Sequence, residues 1–111
     1  MSRGEALYLR DIVKAIEAIR RFTAGGRESF FADDMIQSAV VRQLEIIGEA
    51  VKHLGQALLA SEPDVPWPKI ARTRDLLAHG YFQVDLDIVW GVVEGELSKV
   101  DAAILRMLQQ I

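Results

Sequence analysis

The chain has 111 residues, half of them apolar and 26% charged, with a formal net charge of −3 and no cysteine. That is the length of one globular domain; it excludes a disordered or fibrous chain, disulfide staples, thiolate metal sites and cysteine nucleophiles. No overall basic field points to nucleic acid, so such a partner needs a local basic site.

No apolar run reaches the roughly 18–20 residues of a membrane span, and no signal-type segment follows Met1-Ser2-Arg3-Gly4-Glu5. No membrane partner is expected, and the cytoplasm is the expected compartment.

Helical periodicity dominates the chain. Leu9, Ile12, Val13, Ile16, Ile19 and Phe22 keep returning to one face, which predicts an amphipathic helix stopped by Gly25-Gly26. Residues 27–31 read as a linker to Asp33 and Asp34, both suited to N-capping. A second, longer helix carries Ile36, Val40, Leu44, Ile47, Val51, Leu54 and Leu58, seven residues within an arc of about 80°. Ala39, Ile46, Ala50 and Ala57 widen that arc, and Arg42, Glu45 and Glu49 cluster on the far side. Three prolines at 63, 66 and 68 interrupt the helix. A short helix over about residues 68–78 follows, with Gly80 as its stop. Asp85 or Asp87 starts the last helix, striped by Leu86, Val89, Val93, Leu97, Val100, Ile104 and Met107. With no alternating strand pattern, the expected fold is all-α: one domain over residues 1–111, an up-and-down bundle of four main helices. The wide apolar face of helix 2 and Trp90 predict self-association through a helical face.

Two histidines are available for chemistry. His53 lies four residues after Glu49, so the two can pair across a turn; a solvated surface histidine is the favoured reading. His79 lies in Arg72-Thr73-Arg74-Asp75-Leu76-Leu77-Ala78-His79-Gly80-Tyr81. Histidine can accept and donate a proton near neutral pH, and arginine presents a planar fork that suits phosphate. Together they suffice for metal-independent RNA cleavage: His79 takes the 2′-OH proton, and Arg74 stabilises charge on the phosphorane. Arg74 and His79 are about 140° apart on a helix, so they converge only if the helix ends near His79. A helix C-terminus there would favour the histidine cation. On spacing alone, a histidine near a helix end is more often a cap or a core filler. No metal site and no cofactor motif stand out; Asp33-Asp34 and Asp85-x-Asp87 read as caps.

Arg74-x4-His79-x-Tyr81 resembles the R-x4-H-x-Y motif of HepT-like HEPN toxins, small helical ribonucleases of prokaryotic toxin–antitoxin pairs. Arg42-x-Leu44-Glu45-Ile46-Ile47-Gly48-Glu49-Ala50 resembles that family's helix 2 signature. Val65-Pro66-Trp67-Pro68-Lys69-Ile70-Ala71 resembles its entry to the motif helix, and the likeness runs from about Tyr8 to Leu105. The resemblance implies a homodimer with both motif copies facing a shared cleft, and metal-independent endoribonuclease activity from Arg74 and His79. It implies that Asp75 orients His79 or the RNA, although Asp in place of the frequent Asn puts a negative charge near the phosphate. Arg72, where relatives often carry a small residue, is a candidate phosphate contact. Tyr81 matches the tyrosine that an MntA-like nucleotidyltransferase antitoxin modifies with AMP. The alternative is a non-catalytic HEPN module that binds nucleotide or RNA, or serves as a nucleotidyltransferase's partner subunit.

Overall fold

The computed structural model describes residues 4–79 and 85–111, the side chains of residues 74–79 excepted. Those residues form seven helices and no strand: α1 Glu5–Phe22, α2 Gly26–Ala32, α3 Asp34–Lys52, α4 Gln56–Ala60, α5 Trp67–His79, α6 Leu86–Gly95 and α7 Leu97–Gln110. The all-helical expectation holds. The four expected helices are present, but two of them are divided and one more helix lies between the first and second.

α2 replaces the expected linker over residues 27–31. The chain leaves α1 through Thr23 and turns at Gly26, whose φ of 86° is open to glycine and strained for other residues. What makes this segment a helix is burial rather than propensity. Phe30 is fully buried, packs edge-on against Phe31 at 5.1 Å and lies 5.2 Å from Trp90 of α6. Arg27 covers the Phe31 ring at 4.5 Å and approaches Asp87 at 3.7 Å.

The second expected helix does not run unbroken to Leu58. It ends at His53, and Gly55 turns extended to start α4. The Gly55 N–H donates to Glu5 Oε2 of α1 at 2.7 Å, and a Cβ at that position would come within 3.0 Å of the same oxygen. Apolar periodicity passes through this break because Leu54 and Leu58 remain buried on both sides of it. Ala57, expected to widen the apolar arc, is exposed. The last expected helix is likewise divided, at Glu96 after Gly95.

Capping follows the expectation closely. The Asp33 carboxylate accepts from Met35 N at 2.9 Å. Asp85 accepts from the Asp87 and Ile88 N–H groups at 2.9 and 3.3 Å. Asp85→Ala is therefore expected to cost about 1 kcal/mol, measured by denaturant unfolding, with Asp87→Ala costing less.

The core is built from Leu9, Ile12, Ile16 and Ile19 of α1, Val40, Leu44, Ile47 and Val51 of α3, and Val100, Ala103, Ile104 and Met107 of α7. α3 lies between α1 and α5, which make no comparable contact with each other among the described residues. The proline-rich connection is pinned at Glu62. Its carbonyl accepts from Trp67 Nε1 at 3.0 Å, and its carboxylate is gripped by Arg106 at 2.6 and 3.1 Å.

Hydrogen bonding from Arg106 holds the Glu62 carboxyl below its ordinary value of 4.5, against its desolvation and with the guanidinium charge assisting. A carboxyl depressed in the folded state stabilises the fold above its unfolded pKa and loses that contribution as pH falls through its folded pKa. Arg106→Ala is expected to lower Tm at pH 7, and the gap between the two proteins should narrow as pH drops below about 4.5. Thermal unfolding of both from pH 7 to pH 3 reads this directly.

Candidate functional site

α5 begins beside the end of α3: Trp67, Pro68 and Ala71 share a cavity of 390 Å³ with Val51, Lys52 and Leu54. From there α5 packs along α3 more extensively than any other pair of helices in the fold. The two therefore run antiparallel. α3, which bears the Arg42–Ala50 signature, is thus the packed neighbour of α5, which bears the arginine–histidine motif.

Ideal helical spacing puts positions 74 and 79 about 140° apart. α5 is described as far as His79. Arg72 is exposed. The side chains of Arg74, Asp75 and His79 lie outside the described residues, as does Tyr81 altogether.

On the opposite flank, α1 and α3 enclose a cleft of 210 Å³ lined by Tyr8, Asp11, Arg42, Glu45, Ile46, Glu49, Ala50 and His53. Arg42 approaches Glu45 at 3.4 Å, and His53 Nε2 stands 3.6 Å from Glu49 Oε1. The His53 and Tyr8 rings stack in parallel, 4.6 Å apart and 5° from coplanar. Sequence reading found the Glu49–His53 pairing. It missed Tyr8, because nothing local signals a stack between residues 45 apart. His53 is 48% exposed, as a surface histidine should be, but it is held on one side. No group of three or more His, Cys, Asp or Glu that could hold a metal is found among the described residues. No helix among them is long and apolar enough to cross a membrane.

Comparison with known proteins places this arrangement. The family model described as "Ribonuclease HepT-like" matches residues 12–107. The "Probable ribonuclease HepT" of Thermococcus cleftensis is 43% identical over 87% of this chain and 89% of its own length. The "Putative RNase TTE0752" of Caldanaerobacter subterraneus is 38% identical over 93% of each chain. The "Gamma-glutamylcyclotransferase and putative RNase MJ0434" of Methanocaldococcus jannaschii is 36% identical over all of this chain, which spans 50% of that longer protein. No solved structure matches. The chain belongs to the HepT-like ribonuclease family.

Proposed function

We propose that this chain is a metal-independent endoribonuclease and the toxin of a toxin–antitoxin pair, with Arg74 and His79 as its catalytic residues. The observation that carries the reading is positional. The arginine–histidine motif lies on α5, the helix packed against the one that bears the second family signature, in a chain whose relatives are named as ribonucleases.

The chemistry follows from the two side chains. Neutral His79 takes the proton of a ribose 2′-OH, O2′ attacks the phosphorus, and the bond from phosphorus to O5′ breaks. O5′ leaves with a proton from solvent or from the imidazolium. Arg74 meets the charge that builds on the phosphorane oxygens, a preorganised cation where charge develops. The products are a 2′,3′-cyclic phosphate and a 5′-hydroxyl, and neither metal nor cofactor enters the balance. Arg72, which is exposed, adds a phosphate contact. Asp75, one turn before His79, orients the imidazole or the RNA.

The working form in this reading is a homodimer whose two motif copies share a cleft. That concentrates the arginines at one site of a protein with a net charge of −3. The partner that silences it is an MntA-like nucleotidyltransferase, which transfers AMP from MgATP to Tyr81. The added bulk and negative phosphate exclude RNA by sterics and by repulsion. Incubation with that partner and MgATP is expected to add the mass of AMP to the wild type and not to Tyr81→Phe, and to stop RNA cleavage in step. Mass addition without loss of cleavage would contradict the regulatory part of the reading.

A further inference from the structure

The α1–α3 cleft is not used by the chemistry above, yet it is built. We propose that it is a base-reading subsite that seats one guanine of the RNA substrate, stacked on His53 with its donor edge turned to the carboxylates.

Four observations carry this. The cleft's 210 Å³ is below the roughly 300–1,000 Å³ of pockets that hold drug-sized ligands, so it suits a single flat ring system. A platform is already in place: Tyr8 stacks on the His53 ring at 4.6 Å, and the His53 side chain is 48% exposed, which leaves aromatic surface for a base. The walls are rich in acceptors, with carboxylates from Asp11, Glu45 and Glu49 and one guanidinium from Arg42. Among the four RNA bases only guanine presents two adjacent donors, N1–H and the N2 amino group, that match the two oxygens of one carboxylate. Cytosine and adenine each pair an amino donor with a ring acceptor, which a carboxylate repels. Arg42, 68% exposed and paired with Glu45 at 3.4 Å, holds that carboxylate in the cleft wall.

The cleft and α5 both border α3, the helix that bears the second family signature. This inference rests on the ribonuclease reading, but its binding arm does not depend on cleavage.

The test is calorimetric titration of the full chain with guanosine, adenosine, cytidine and uridine 3′-monophosphates, beside cleavage mapping on RNA of mixed sequence. GMP is expected to bind at least tenfold tighter than the other three. His53→Ala should weaken GMP by roughly tenfold, the loss of one base–aromatic stack, and His53→Phe should restore it. Glu45→Gln, a rim substitution that keeps shape, should erase the preference for guanine. Cleavage should favour sites near a guanosine. Equal binding of all four nucleotides, no binding at millimolar concentration, or argininamide bound in place of GMP would overturn the proposal, the last by marking a dock for a basic protein side chain. RNA cleavage without guanine preference would leave the ribonuclease standing and remove the subsite. Selective GMP binding without RNA cleavage would do the reverse.

Discussion

His79→Ala is expected to reduce RNA cleavage by about 10²–10⁴-fold, the worth of a positioned general base. Arg74→Ala should cost about 10²–10³-fold, typical of losing one preorganised group that stabilises developing charge. Arg74→Lys is the more discriminating change. Lysine keeps the charge but not the planar fork, so partial recovery over alanine would show that point charge matters, and none that bidentate geometry does. Neither substitution should lower helix content, because alanine and lysine are both good helix formers. Single-turnover cleavage of one RNA, with circular dichroism of each variant, separates lost chemistry from lost structure. Retained cleavage in His79→Ala would remove the proton-transfer mechanism.

Phe30→Ala is expected to destabilise the fold by about 3–5 kcal/mol. The ring is fully buried and contacts both Phe31 and Trp90, so its removal opens a cavity between α2 and α6. Against a total stability of about 5–15 kcal/mol for a typical domain, that is a large share. The linker expected from the sequence for residues 27–31 would predict a change within about 0.5 kcal/mol. Urea unfolding of Phe30→Ala beside the exposed Glu28→Ala distinguishes the two, since only the former should shift the midpoint strongly.

The difference at Phe30 shows where sequence reading stops. The stripes on α1, α3 and α7 were legible because each helix buries one face against a neighbour, and Leu9, Val40 and Ile104 mark those faces unambiguously. Asp33 and Asp85 were legible as caps because their acceptors act within three residues. α2 was not, since a seven-residue helix carries too few turns for periodicity, and its one buried ring answers to Trp90, sixty residues away. The break at Gly55 was hidden for a similar reason. The apolar spacing continues through it, and the acceptor that satisfies the freed N–H comes from Glu5 at the start of the chain. At the candidate site the motif residues and their order could be read, while the expected stop at Gly80 lies outside the described residues. The Tyr8–His53 stack could not, because it forms only when α1 packs on α3.

The central claim is that RNA itself supplies the nucleophile and that no metal takes part. Two oligonucleotides identical but for a 2′-deoxy substitution at the mapped cut site, incubated in EDTA with protein of verified unmodified mass, test it most directly. The all-ribose strand is expected to be cut to a 2′,3′-cyclic phosphate and a 5′-hydroxyl, and the substituted strand to stay intact. Cutting of the 2′-deoxy strand, or cutting only when a divalent metal is restored, would contradict it. No cutting under either condition would turn the arginine–histidine motif into a phosphate-binding site of a non-catalytic module.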